Sequence, residues 1–190
     1  MRFLPTQLKD LILVVPEVLR DTRGFFMETF HSKRYVEGGI PGPFVQDNHS
    51  RSAQGVLRGL HGQWKHPQGK LLRVIAGAIF DAVVDARPDS PTYRQWAGWT
   101  LSSDNLQQIY VPPGFLHGFC VLSPFAEVEY KCTDYYHPGD EIGVLWNDPA
   151  LGIEWPIKDP QLSDKDKKLP LFESNETKFE SYRSLGHWKQ

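Results

Sequence analysis

The stretch Gly55–Gln63, GVLRGLHGQ, places an arginine and a histidine, Arg58 and His61, inside an apolar, glycine-punctuated run. An imidazole is the natural general base near neutral pH, because its unperturbed pKa is about 6.5. Proton abstraction from a substrate asks for more than a base. It needs a carboxylate to hold the second ring nitrogen, an acid to return a proton and a cation for the charge that develops. EVEYKC offers Tyr130, QGKLL offers Lys70, and SDKDKK offers Asp164, Lys165 and Asp166. Each has an ordinary reading when taken singly. A histidine can be satisfied in a core, a tyrosine can pack across strands, a lysine at a strand start is commonly solvated, and SDKDKK reads as a charged helix start with an aspartate cap.

A bound metal would need three or four converging N/O donors, as in HxH followed by a glutamate. Here His61 is followed by GQWKH, giving His66 with no nearby carboxylate, and His49 and His117 stand alone in sequence. Metal-free acid–base chemistry fits the residues better.

The elements that must position these groups read as short strands. KLLRVIAGAIFDAVVDAR, QQIYVPP, GFCVL and AEVEYKC are separated by the turn formers PDSPT, PPGF and HPGDE. That rhythm predicts an all-β jelly roll. Short helices are expected at its periphery, at 32–39, 102–108 and 163–170. Residues 1–172 form a single domain, and 173–190 read as a polar C-terminal tail or edge element. Strand alternation groups Tyr130 with Val128 and Cys132, away from Glu127, Glu129 and Lys131. The same rule sets Arg58 and His61, three residues apart, on opposite faces of a regular strand. If both reach one interior the chain must slip by one residue, and a bulge costs least at Gly59. An irregularity is therefore expected at Arg58–Leu60.

A chain of 190 residues, 40% hydrophobic and 13% aromatic, is ample for one core. A net charge of −2 leaves no basic excess for nucleic acid or an acidic membrane surface. The early apolar run LILVV at 11–15 is too short for a signal peptide core or a membrane span, so a soluble cytoplasmic protein is expected. Cys120 and Cys132 lack CxxC spacing and read as buried reduced thiols.

Several segments in series, FVQDNHSRSAQGVLRGLH, QGKLLRVIAGAIFDAVVDAR, SPTYRQW, PPGFLHGF, EYKCTDYY and WNDPALGIEWP followed by LSDKD, resemble the dTDP-4-dehydrorhamnose 3,5-epimerase family over residues 1–170. The resemblance implies a cupin-type jelly roll (double-stranded β-helix), a homodimer, no metal and no organic cofactor. The activity it implies is epimerisation at C3 and C5 of dTDP-4-dehydro-6-deoxy-D-glucose. By the same resemblance His61 is the base, Asp166 its dyad partner, Tyr130 the acid, and Lys70 the cation beside the sugar carbonyl. Nucleotide-sugar contacts are implied for Arg23, Glu28, Gln46, Asn48, Arg58 and His117, and for Glu141 and Lys165. Tyr136 matches the aromatic residue that stacks on thymine, and the segment near Arg23 and Glu28 reaches the partner's site in relatives.

The chemistry is coherent. A ketone at C4 acidifies the hydrogens on C3 and C5, a base gives an enolate, and an acid on the opposite ring face inverts the centre. Arg23, Arg58 and Lys165 then suit the diphosphate, with Arg58 aimed at the diphosphate and His61 at the sugar. A mono-epimerase inverting C3 or C5 alone would use the same groups. A non-catalytic sugar- or nucleotide-binding jelly roll would not need His61, Asp166 and Tyr130 together, and a metal-dependent cupin is the third option.

Overall fold

The computed structural model describes residues 1–185 of the chain. Two antiparallel sheets and one hairpin account for its strands. The first sheet has six strands: β1 (Arg2–Pro5), β2 (Ile12–Val15), β5 (Gln46–Ala53), β7 (Lys70–Ala76), β10 (Gln108–Val111) and β12 (Phe125–Cys132), in the spatial order β1-β2-β10-β7-β12-β5. The second has five: β6 (Leu57–Gln63), β8 (Ala78–Asp85), β9 (Trp96–Ser102), β11 (Phe115–Val121) and β13 (Glu141–Gly143), in the order β13-β6-β11-β8-β9. Non-sequential neighbours joined by long returns make this the expected jelly roll. The hairpin β3 (Val18–Asp21) and β4 (Gly24–Met27) pairs only with itself among the described strands.

Period-two patterning decides which faces meet. Leu72, Val74, Ile109 and Val128 from the first sheet pack against Ile79, Val83, Phe115 and Phe119 from the second, forming the main core. Lys70, Leu72 and Val74 share one face of β7, and Val128, Tyr130 and Cys132 one face of β12, so Lys70 and Tyr130 continue the inward rows. On β5 the alternation sends Gln46, Asn48 and Ser50 inward and leaves His49 and Arg51 outside, paired with Glu127.

β11 is buried at every position, which a sheet open to water on one side would not show. Its outer face is covered by the chain after β13. Val144, Leu151, Phe172 and Phe179 pack there against Leu60, Val84 and Leu116. This corrects the expected polar tail. Residues 172–175 form a 3-10 turn and α2 spans Glu176–Leu185, with Phe179 only 2% exposed. Its apolar stripe is a few residues set among charges, too sparse to stand out by periodicity. Residues 186–190 of that expectation lie outside the described residues.

Of the other helical expectations, α1 (Ser32–Glu37) forms and buries Tyr35, and 163–170 contains a 3-10 turn at Asp166–Lys168. Residues 102–108 do not form a helix. Ser102 Oγ accepts from the backbone of Asp104 and Asn105, and Leu106 has φ 58, so a side-chain-capped turn replaces the helix. Cys120 and Cys132 are both free and buried. No helix among the described residues is long and apolar enough to cross a membrane.

Candidate active site

A cavity of about 530 Å³ opens at one end of the sandwich, with Arg58, His61 and His117 on one wall and Lys70 and Tyr130 on the other. The bulge in β6 makes this possible. Arg58 pairs with Phe119 and His61 with His117, so β6 carries one more residue than β11 between the same two rungs. The slip falls at Gly59, with φ +128. A Cβ there would come 2.4 Å from Gly118 Cα and 2.9 Å from the His117 carbonyl oxygen, so close approach and backbone angle both demand glycine. The expected irregularity at Arg58–Leu60 is present. Arg58 and His61 both line the cavity while Leu60 packs outward. Arg58 donates from Nε to Ser52 Oγ at 3.0 Å, which fixes the guanidinium plane.

Asp166 is 105 residues from His61 in sequence, yet His61 Nε2 lies 2.6 Å from Asp166 Oδ1. The return segment makes that contact. Gln161 donates to the Gly55 carbonyl and accepts from Leu57 N, pinning the chain beside the start of β6. Ser163 Oγ then accepts from Asp166 N and caps the 3-10 turn that presents the carboxylate. Asp166 is 4% exposed, so the contact is shielded from water. A carboxylate only accepts, so Nε2 carries the hydrogen and Nδ1 keeps the lone pair that can take a proton. Burial pulls the His61 pKa below its ordinary value, opposed by the Asp166 charge and hydrogen bond. The net lowering favours the neutral ring, the form in which it can act as a base.

Opposite, Lys70 Nζ is 5.9 Å from the centre of the Tyr130 ring. Burial lowers the Lys70 pKa, with Cys132, Glu141 and Asp81 holding it up. Burial raises that of Tyr130, so its phenol keeps its proton. An imidazole held by a carboxylate, a phenol and a lysine amine thus converge on one space. This arrangement can remove a proton from a carbon beside a carbonyl, stabilise the enolate and deliver a proton elsewhere on it.

A second space of about 160 Å³ shares His61, Lys70 and Tyr130 and adds Gln46, Asn48, Tyr136 and Glu141. Gln46 accepts from Tyr136 N at 2.8 Å and donates to Asn48 Oδ1 at 3.1 Å. Lys165 and Glu141 form an ion pair at the edge of the cavity. His117 Nε2 is 2.6 Å from Asp81 Oδ2, a second histidine–aspartate contact beside the first. Among the described residues, no three His, Cys, Asp or Glu side chains gather as a metal ion would require.

Arg23 and Glu28 are the two expected site residues that the chain does not bring to this cavity. Arg23 is on the hairpin, paired with Asp21 and highly exposed, and Glu28 is paired with Arg34 at 2.8 Å. Sequence reasoning missed Ser52, Asp81 and Ser163, which orient Arg58, His117 and Asp166. Asp81 carried a readable signal, a charge within the apolar run AIFDAVVD. The two serines carried none.

Residues 5–174 match the family model described as dTDP-4-dehydrorhamnose 3,5-epimerase. A protein of that name from Methanothermobacter thermautotrophicus is 50% identical over 177 residues, covering 92% of this chain and 96% of that protein. One from Neisseria gonorrhoeae is 54% identical over 167 residues, covering 87% of this chain and 51% of that protein. The crystal structure of a dTDP-6-deoxy-D-glucose-3,5-epimerase from Legionella pneumophila, in complex with dTDP-4-keto-L-rhamnose, superposes with a TM-score of 0.90. It is 48% identical and covers 94% of this chain and 96% of that one.

Proposed function

The chain belongs to the dTDP-4-dehydrorhamnose 3,5-epimerase family, and from that premise we propose that its cavity converts dTDP-4-dehydro-6-deoxy-D-glucose to dTDP-4-dehydro-L-rhamnose. The observation that carries the reading is the convergence of the His61–Asp166 pair, Tyr130 and Lys70 on one cavity. His61 Nδ1 takes the proton from C3 and from C5. Asp166 holds the imidazole in the tautomer that can do so and stabilises the imidazolium. Lys70 faces the C4 oxygen and balances the enolate charge, and Tyr130 returns a proton to the opposite ring face. Arg58, with Nε fixed by Ser52, offers its remaining N–H donors to the diphosphate. Tyr136 supplies a flat face to the base, and Gln46, Asn48, His117, Glu141 and Lys165 complete the contacts to the nucleotide sugar.

We place Arg23 and Glu28 in the site of a second copy. The hairpin that carries Arg23 leaves Leu19, Phe25 and Phe26 61%, 53% and 70% exposed, an apolar surface that a homodimer would cover. The two free thiols suit a reducing compartment, the cytoplasm.

Turnover in deuterium oxide followed by NMR tests the chemistry. Label entering at both C3 and C5 is the expected result, and label at one carbon alone would make the protein a mono-epimerase. Light scattering on the purified chain tests the assembly. A dimer that Phe26→Asp dissociates is expected, and a monomeric native protein would remove the shared site.

A further inference from the structure

Gln63 is two residues beyond His61, past the bulge, so both side chains leave β6 on the same face. It is 8% exposed, a buried amide whose polar atoms need partners. Its Nε2 donates to the His66 carbonyl at 2.7 Å and to the Tyr135 carbonyl at 3.2 Å. Its Oε1 accepts from His137 N at 2.8 Å. Tyr135 and His137 flank Tyr136 on both sides, and Tyr136 N itself donates to Gln46. Asp140 draws the neighbouring turn in by accepting from the backbone of Lys65 and His66, and the His66 and His137 rings stack at 3.8 Å. The Tyr136 side chain is left half exposed beside the second space, with its own N–H and the peptide groups before and after it held by Gln46 and Gln63.

We propose that Gln63 is a positioning residue that sets the Tyr136 ring for the nucleobase, so that one strand fixes the span from base platform to catalytic histidine. Arg58, His61 and Gln63 then gauge one ligand from β6: its diphosphate, its sugar and, through Tyr136, its base. This rests on the reading of Tyr136 as the base platform given above.

The test is a double-mutant cycle on the full chain, with dTDP affinity by calorimetry and steady-state kinetics on the nucleotide sugar. Gln63→Met keeps the volume and removes all three hydrogen bonds. It is expected to weaken dTDP binding about tenfold, within the range spanned by base–aromatic stacking, and to raise KM in step while kcat falls less than about threefold. In a Tyr136→Ala background the same change should cost less than about twofold more, because the platform is already gone. If Gln63→Met does not fold, Gln63→Glu, which keeps the acceptor for His137 and loses both donors, carries the same measurement. A fall in kcat and melting temperature with KM unmoved, or losses that add fully to those of Tyr136→Ala, would assign Gln63 a purely structural role and overturn the proposal. Normal dTDP binding by Tyr136→Ala would instead remove the platform reading itself. A weakened Tyr136→Ala beside an unaffected Gln63→Met would remove only the role given to Gln63.

Discussion

Asp166→Asn is the most exacting test of the proposed base. The amide matches the carboxylate in size, and the Ser163 cap on Asp166 N acts through backbone, so the turn should remain in place. What is lost is a charge-assisted hydrogen bond at 2.6 Å to an almost fully buried group. Such bonds contribute about 1.5–3 kcal/mol, which at about 1.4 kcal/mol per decade predicts a loss of roughly 10- to 150-fold in kcat/KM. If the amide instead turns its NH2 toward Nε2, the proton moves to Nδ1 and the lone pair is gone. The loss then approaches about 10⁴-fold, as it does when an orienting aspartate is replaced in a serine-protease triad. The pH profile gives an independent sign. Asp166 raises the His61 pKa against the burial that lowers it, so its neutralisation must lower that pKa further and move the acid limb of kcat/KM to lower pH. Solvent-deuterium incorporation across acid to neutral pH reads both quantities. Activity within about twofold of the native protein, or an acid limb that moves up, would refute the dyad.

Other outcomes follow from the same geometry. Lys70→Met should cost about a hundredfold or more in kcat, the usual loss for a preorganised charge partner. Because burial lowers the Lys70 pKa, native activity should begin to fall at lower pH on the alkaline side than an ordinary lysine would give, and a pH–rate series compared with that of Lys70→Met checks the assignment. Gly59→Ala forces a Cβ to within 2.4 Å of Gly118 Cα at φ +128. It should destabilise the fold by at least the ~1–3 kcal/mol typical of such backbone strain and lose activity as His61 is displaced, both read by denaturant melts and turnover. Phe179 packs on Phe172 at 4.8 Å between ring centres, so Phe179→Ala should cost about 3–5 kcal/mol of stability. A stability change near zero in chemical denaturation would return α2 to the status of a loose tail.

What the sequence determined by itself came from alternation and residue chemistry. Period-two patterning put Tyr130 on one row with Val128 and Cys132, and the conflict between Arg58 and His61 marked Gly59 as the place where a bulge costs least, whereas the inward turn of Lys70 came from the fold. These are local properties, set by backbone sterics and by which side chains tolerate burial. A helix at 102–108 was misread because serine and asparagine side chains compete for backbone donors, and the winner depends on which turn the flanking strands require. The pairing of His61 with Asp166 was legible only through resemblance, since its cause is a return segment hydrogen-bonded to the start of β6. The burial of Phe172 and Phe179 was hidden for a related reason: a few aromatic residues among charges become core only when a particular sheet face lies open beneath them. The direction of each pKa shift, the orienting roles of Ser52, Ser163 and Gln63, and the distance of Arg23 and Glu28 from the cavity belong to the tertiary structure alone. Burial, partner geometry and long-range contact are set by the whole fold, and no window of sequence contains them.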